Sequence, residues 1–167
     1  IFMNAGFFRE DKNALSDCFY NDSPGVATEK AEGVDRSAAL CQKRRMEEAW
    51  RHTLSEGAAA VGVPLGKEKL DLFAQYHREL LLWNRRINLV SEQTSREIVV
   101  RHFVDSLTPA PWIEKPDGLL IDIGSGGGFP GIPLRIALPG LRLTLVESSR
   151  KKTSFLAHIV RTLRLDN

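Results

Sequence analysis

The segment that most constrains the fold is the run from Leu119 to Gly131, which reads LLIDIGSGGGFPG. Its first five residues place four apolar side chains around the carboxylate of Asp122, as in a parallel strand covered on both faces. The turn that follows contains Gly124, Gly126 and Gly128. Glycine permits positive φ and lets a ligand approach backbone amides closely, and a helix beginning near Phe129 would direct its positive end at the turn. The segment therefore predicts a nucleotide-type binding site.

The spacing of the glycines separates two classes of nucleotide-binding protein. A dinucleotide fingerprint has the form G-x-G-x-x-G, and its sixth position, counted from Gly124, is occupied by Phe129. A nicotinamide oxidoreductase is therefore the less favoured alternative. The observed pattern, D-x-G-x-G-x-G, resembles the first motif of doubly wound methyltransferases that use S-adenosylmethionine.

A second acidic residue supports a binding site at this turn. The residues LRLTLVE, 141–147, read as the next strand and end in Glu147, 25 residues beyond Asp122. In doubly wound folds an acid at this point holds ribose hydroxyls. Glycine-rich turns also occur in loops that bind nothing, but the order strand, turn, helix, strand and acid favours a nucleotide site.

Composition sets wider limits on the protein. The chain has 167 residues with 23 basic and 21 acidic side chains, and this balance does not by itself indicate nucleic acid. It has no apolar run of membrane-spanning length and no secretion signal, so we expect a cytoplasmic protein without a membrane partner. Cys18 and Cys41 match no zinc spacing and are interpreted as incidental thiols, and no metal site is predicted.

Three stretches of the chain differ in organisation. Residues 1–45 lack a sustained period and are predicted to be a poorly ordered extension or an artefact. Residues 46–116 are predicted to form an N-terminal helical cap that ends in a proline-containing linker. Residues 117–167 are predicted to be the first βαβα part of an S-adenosylmethionine-binding domain.

Helical periodicity predicts the core of the cap. A first helix carries its apolar stripe on Met46, Trp50, Leu54 and Ala58. A second helix carries a longer stripe on Leu70, Phe73, Ala74, His77, Leu80, Leu81 and Asn84. His77 on this stripe is interpreted as a packing residue whose polar atoms are satisfied. After Asn84 the period fails, and a loop is predicted.

A third helix is predicted from a capping box to about Leu107. The box is formed by Thr94 and Glu97, and the inward residues are Ile98, Val99 and Phe103. Polar side chains share another face of this helix at positions 101, 102 and 105. An ordinary ion pair between Arg101 and Asp105 explains part of that pattern equally well.

Basic residues gather at three places: residues 43–45, Arg85 with Arg86, and residues 150–152. The last group opens a helix capped by Ser148 or Ser149, with a stripe on Phe155, Leu156, Ile159, Val160 and Leu163. Cations in a first helical turn are disfavoured by about 0.3–1 kcal/mol each. An anionic partner would offset this cost, while a solvated face screened by salt is the simpler alternative.

From about Met46 onward the chain resembles the bacterial glucose-inhibited division protein B family, the methyltransferases that modify guanine N7 in 16S ribosomal RNA. The resemblance rests on the segments WNRRINL (83–89), VRHFVDS (100–106), DIGSGGGFPGIPL (122–134), and VES with KKTSFL (146–148 and 151–156). Two prolines at the opening of the helix after the glycines make the third segment more specific than a general donor motif.

The resemblance implies an α/β, Rossmann-like doubly wound methyltransferase fold with an N-terminal helical cap. It implies S-adenosylmethionine as cofactor and 16S ribosomal RNA, or the small ribosomal subunit, as partner. The positions that it assigns to the cofactor are Asp122, Gly124, Ser125, Gly126, Gly128, Phe129 and Glu147. Those that it places near the target base or the RNA, together with the basic cluster, are Asn88, Arg101, His102, Asp105, Arg150, Lys151 and Lys152.

Guanine N7 carries a lone pair and no proton, so no general base is predicted, and positioning carries the catalysis. The family's later strands do not follow within 167 residues. We therefore expect the sequence to be a C-terminally truncated portion that includes the first two strands and is not active alone. The alternative is an RNA-binding or interaction fragment that uses its basic face and no methyl donor.

Overall fold

The computed structural model describes residues 36–91 and 94–165, which lie in one compact unit. Helix α1, Arg36–Ala60, begins ten residues before the point at which the sequence predicted ordered structure. Residues 36–45, part of the segment predicted to be a poorly ordered extension or an artefact, are helical, and the extent of that extension stays a prediction. The rest of that segment, with Cys18, lies outside the described residues, and Cys41 is exposed on α1.

The first two helices pack through the stripes that their periodicity predicts, with differences at the edges. Trp50, Leu54 and Ala58 of α1 are buried, but Met46 is 55% exposed because α1 extends beyond its packing partners there. Helix α2, Lys67–Asn84, buries Phe73, Ala74, Tyr76, His77 and Leu80. Tyr76 was not part of the predicted stripe. It is buried because α2 contacts α1, α5 and α6, which widens its covered face.

The third helical stretch follows the predicted course with a change of pitch. It consists of α3, Ser95–Ile98, a π-helical segment, Val99–Val104, and α4, Asp105–Leu107. The capping box between Thr94 and Glu97 is present in both directions, and Ile98, Val99 and Phe103 are fully buried, as predicted. A 3₁₀ turn, Ala110–Trp112, leads into the strands.

The strands form a parallel pair joined through a short helix. Strand β1, Leu119–Ile123, pairs with β2, Arg142–Val146, with Asp122 opposite Leu145. Helix α5, Gly131–Ala137, connects them, and α6, Arg150–Thr162, follows β2. This order of elements confirms a mixed α/β structure.

The two faces of this sheet have different surroundings. The face of Asp122 packs against α5, where the Asp122 carboxylate and the side chains of Leu143 and Leu145 lie against Gly131. On the opposite face Leu119 is 60% exposed and Ile123 is 81% exposed. The prediction that β1 is covered on both faces is therefore wrong for the described residues, where helices pack on one face only.

One hydrophobic core joins the helical part to the strand region. Its members come from α1 and α2, from the π-helical segment, and from α5 and α6. The stripe of α6 is confirmed, with Phe155, Leu156, Ile159 and Leu163 buried and Val160 half-buried. The division into a cap and a binding domain at residues 116 and 117 stays a prediction. Among the described helices, none is long and apolar enough to cross a membrane.

Candidate functional site

The turn after β1 has the backbone conformation that its glycines predict. Gly124, Gly126 and Gly128 have φ values of +78°, +54° and +96°. Side chains rarely adopt such values, so glycine is required at these three positions. The chain thereby leaves the carboxyl end of β1 and returns towards α5 within a few residues.

Ser125 ties the turn to the second strand. Its side chain is buried; the hydroxyl donates to the carbonyl of Asp122 at 2.9 Å and accepts the amide of Val146 at 3.2 Å. The amides of Gly124 and Ser125 both donate to the carbonyl of Val146, at 2.8 and 3.1 Å. Ser125 therefore holds the ends of β1 and β2 together, and its hydroxyl is engaged within the protein.

Asp122 braces the far side of the turn. The side chain is buried, and its Oδ2 accepts the amide of Gly131 at 3.0 Å, at the start of α5. Burial raises the pKa of this carboxyl, and the hydrogen bond from Gly131 opposes the rise. The first amide of α5 is thus directed at Asp122. That the helix beginning near Phe129 directs its positive end at a ligand stays a prediction.

Glu147 lies directly against the glycine turn. Its Oε2 accepts the amide of Gly126 at 2.8 Å, and its Oε1 accepts the amide of Ser149 at 2.8 Å. These amides lower the pKa of the carboxyl, with a smaller contribution from the charge of Lys152. Ser149 occupies the predicted N-cap position of α6, but its hydroxyl makes no capping bond. The capping acceptor is the Glu147 carboxylate.

Five amides of the turn donate hydrogen bonds inside the protein, and ligand binding by the turn amides stays a prediction. Those of Gly124, Ser125 and Gly126 donate to β2 or to Glu147, and those of Gly128 and Phe129 donate to the carbonyl of Ser125. What the turn leaves open is space. A Cβ on Gly124 would meet no atom within 4 Å, and one on Gly126 would lie 3.8 Å from the carbonyl oxygen of Gly124.

The second half of the turn is closed by Tyr76, which the sequence prediction missed. The buried Tyr76 hydroxyl donates to the carbonyl of Gly127 at 2.5 Å. Burial, with the nearby charge of Asp122, raises the pKa of this hydroxyl well above its usual value, which keeps it protonated as a donor. A Cβ on Gly128 would lie 2.8 Å from the Tyr76 hydroxyl and 2.5 Å from Cδ1 of Ile132. Tyr76 falls three residues after Phe73, a helical spacing that would have indicated it.

An aromatic stack connects this closed half to the helical part. The Phe129 ring stacks on His102 at a centroid distance of 4.7 Å and on Tyr76 at 5.6 Å. Tyr76 in turn stacks on Phe103 at 5.3 Å. Phe129, predicted to line the cofactor site, is therefore half-buried in a packed stack, and His102 reaches the turn through it.

The polar residues assigned to the base or the RNA occupy two places. Asn88, Lys151 and Lys152 line one surface cleft of about 380 Å³. Arg101 and Asp105 are exposed on the helical stretch that carries His102 and do not line that cleft. Among the described residues no group of three His, Cys, Asp or Glu side chains is arranged to hold a metal ion.

Comparison with known proteins identifies the family. Residues 69–167, more than half of the chain, match the family described as GidB, rRNA small subunit methyltransferase G. A protein named ribosomal RNA small subunit methyltransferase G from Syntrophus aciditrophicus is 53% identical over 119 residues, which covers 71% of this chain and 49% of the relative. Proteins of the same name are 52% identical in Roseiflexus castenholzii, covering 65% and 46% of the two chains, and 42% identical in Cellvibrio japonicus, covering 70% and 55%. The chain spans about half the length of the curated relatives that it matches, and it belongs to the GidB family of rRNA small subunit methyltransferase G proteins.

Proposed function

We propose that this chain supplies the donor-binding part of an enzyme that methylates N7 of a guanine in 16S ribosomal RNA. The observation that carries the proposal is the Glu147 carboxylate, which is bound to the amide of Gly126 beside open space at Gly124. A Rossmann-like, doubly wound sheet of which β1 and β2 are the first strands is part of the proposal. A ribosomal substrate places the enzyme in the cytoplasm.

The residues around the turn fit S-adenosylmethionine. A carboxylate offers about four acceptor positions, and the amides of Gly126 and Ser149 occupy two of those on Glu147. The remaining positions would accept hydrogen bonds from the hydroxyls of a ribose. The missing side chains at Gly124 and Gly126 let a bulky nucleoside lie against the backbone. When bound, the cofactor supplies a methyl group on a positively charged sulfonium.

The protein's own contribution is to fix the conformation of the glycine-rich turn. Asp122, Ser125 and Tyr76 fix the turn from three sides through hydrogen bonds to Gly131, Val146 and Gly127. Because guanine N7 has a free lone pair, the reaction needs alignment and not proton removal. A buried Asp122 that is already bound to an amide suits that requirement.

We assign the binding of the target base and its RNA strand to residues around the turn. Asn88 and His102 are proposed to hydrogen-bond the base or to steady the loops beside the donor, without transferring a proton. Arg101 and Asp105 are proposed to lie where the target base enters the site. Arg150, Lys151 and Lys152 are proposed to contact the backbone of the RNA strand.

Titration calorimetry with S-adenosylmethionine tests the donor site on the folded chain. We expect saturable heat from the wild type and a loss of at least tenfold in affinity for Gly124→Ala, because its methyl group enters the open space. Gly62→Ala is the matched control, since Gly62 has φ +79° and a Cβ there would meet its nearest atom, Pro111 Cγ, at 3.6 Å. Gly62 lies at the end of α1, and we expect its variant to bind like the wild type.

Absence of heat at millimolar S-adenosylmethionine, from a chain with wild-type circular dichroism, would contradict the proposal. It would favour the alternative of an RNA-binding fragment that uses no methyl donor. Equal losses in Gly124→Ala and Gly62→Ala would show that backbone strain, and not the open space, determines affinity.

A further inference from the structure

Two basic clusters that are far apart in the sequence meet at one cleft. The loop after α2 brings Arg86, Ile87 and Asn88 to one wall, and the start of α6 brings Ser149, Lys151 and Lys152 to the other. A neighbouring cleft of about 670 Å³ shares Arg86, Ile87 and Lys151 and adds Arg85. The sequence predictions named Lys151 and Lys152 as RNA-binding residues and described Arg85 and Arg86 only as one of the basic clusters.

The lining of the first cleft has one sign of charge. It combines three cations with the amide of Asn88 and the hydroxyl of Ser149, and no carboxylate lines it. In the neighbouring cleft the carboxylate of Glu79 is bound by His158 at 2.7 Å. Within the part of the chain that the structure describes, none of the ion pairs involves Arg85, Arg86, Lys151 or Lys152. The cations are therefore available to an anion.

The wall that carries the arginines is fixed by Asn84. Its Oδ1 accepts the amides of Leu89 and Val90 at 2.8 and 3.0 Å, and its Nδ2 donates to the carbonyl of Val90 at 3.0 Å. The amides of Arg86 and Ile87 both donate to the carbonyl of Trp83. These bonds hold the loop in one shape before any ligand arrives.

The same region is joined to α6 by aromatic packing. The Trp83 ring lies 5.7 Å from Phe155 and 5.3 Å from His158, centroid to centroid. His158 also bonds Glu79 of α2. Both walls of the cleft are thus attached to the same core, so the spacing between the arginines and the lysines is set by the fold.

The cleft borders the donor turn. Ser149 lines the cleft and gives its amide to Glu147, whose other oxygen holds Gly126. On the other wall, the carbonyl of Leu89 lies 3.5 Å from the position of a Cβ on Gly127. An anion in the cleft is therefore separated from the turn by one or two residues on each side.

We propose that this cleft and its neighbour, with Arg86 shared between them and Arg85 in the neighbour, bind backbone phosphates of the RNA strand that carries the methylated guanine. The inference rests on the proposed function. Arginine presents a planar fork of donors that fits phosphate oxygens, and lysines add charge at short range. Phosphate contacts set the register of a strand without reading its sequence. A phosphate bound here would also offset the unfavourable position of Lys151 and Lys152 in the first turn of α6.

The test compares two pairs of neighbouring arginines. Arg85→Gln with Arg86→Gln removes two charges from the pair of adjoining clefts, and Arg44→Gln with Arg45→Gln removes two from the exposed side of α1. Affinity for a fluorescent single-stranded RNA 12-mer is measured by anisotropy between 50 and 200 mM salt. We expect the first variant to lose about tenfold in affinity and its log–log salt slope to fall by about 1.4, since each phosphate contact contributes about 0.7. The control is expected to stay within twofold of the wild type.

Equal losses of RNA affinity in the two double variants would overturn the inference, because they would show that affinity depends on net charge alone. Circular dichroism and thermal midpoints check that both variants fold, and Lys151→Gln, on the opposite wall, is expected to lose about threefold. Inorganic phosphate is the second arm of the test. If it displaces the RNA at micromolar concentration, the site is built for free phosphate and not for a strand.

Failure of this inference is distinguishable from failure of the proposed function. If the wild type binds S-adenosylmethionine but all variants bind RNA as tightly as the wild type, the cleft inference fails and the donor-site proposal stands. If the wild type gives no heat with S-adenosylmethionine, but only the Arg85 and Arg86 variant loses RNA affinity, the cleft inference stands and the donor-site proposal fails.

Discussion

The two halves of the glycine-rich turn serve different purposes. At Gly124 and Gly126 the missing side chains leave space beside a carboxylate, whereas at Gly127 and Gly128 they leave room for the protein itself. A side chain at Gly128 would collide with Tyr76 and Ile132, and one at Gly127 would collide with Phe129. One run of glycines thus combines an open surface for a ligand with a close contact to the helical part.

The largest effect is expected from Gly128→Ala in the closed half. The new methyl group would lie 2.5 Å from Cδ1 of Ile132, at a residue whose φ is +96°. Overpacking and an unfavourable φ together predict a loss of about 2–5 kcal/mol in the free energy of unfolding, measured by urea denaturation. A loss below about 0.5 kcal/mol would remove the distinction between the two halves.

Lowering the pH tests the packing of α2, the helix whose Tyr76 closes the second half of the turn. His77, next to Tyr76, is 5% exposed and stacks on Trp50 at 4.7 Å, and its Nε2 has no hydrogen-bond partner. The prediction that its polar atoms are satisfied is therefore wrong. Burial lowers the pKa of His77 to about 4, and the charge of Glu47 opposes the shift.

Since the unfolded chain takes up this proton near pH 6.5, stability is complete above that pH and falls towards pH 4. Between pH 7 and pH 5 we expect a loss of about 2 kcal/mol in the free energy of unfolding of the wild type. His77→Phe should remove most of that dependence in parallel urea titrations. An unchanged slope in the variant would show that other groups carry it.

Tyr76→Phe isolates the hydrogen bond that closes the turn. The variant keeps the rings stacked on Phe103 and Phe129 but loses the bond to the Gly127 carbonyl. We expect a loss of about 1–2 kcal/mol in the free energy of unfolding, because a buried acceptor is left unpaired. Tyr76→Leu, which also removes the stacking, should lose more. Equal losses in the two variants would assign the role of Tyr76 to its hydroxyl alone.

Gly124→Ala gives a smaller change in stability than Gly128→Ala because it lies in the open half. Its φ of +78° costs about 1–2 kcal/mol with any other residue, and no atom opposes the methyl group. Gly62→Ala, with φ +79°, should show the same loss of unfolding free energy. A loss for Gly124→Ala as large as that for Gly128→Ala would mean that the first half is packed as well.

The order of elements could be predicted from the sequence because it depends on local patterns. Alternating apolar strands, glycines that require positive φ, and the capping box of Thr94 and Glu97 each act over a few residues, and each is present. The proximity of Glu147 to the turn also followed, since parallel strands bring their carboxyl ends together.

Other features could not be predicted because they depend on contacts between distant segments. Tyr76 meets Gly127 across 51 residues, and the Ser125 hydroxyl is taken up by β2. Five of the turn amides donate to β2, Glu147 and Ser125, which the sequence pattern did not indicate. The start of α1 was missed because residues 38–45 are exposed and carry no apolar period.

The most direct test of the account is a titration of the ¹⁵N-labelled chain with S-adenosylmethionine, followed by NMR. The account predicts saturable shifts of the amide signals of Gly124 and Gly126, with Gly128 changing much less, and the loss of these shifts in Glu147→Ala. A folded chain whose Gly124 and Gly126 signals stay in place at saturating cofactor, or shift equally without the Glu147 carboxylate, would contradict it.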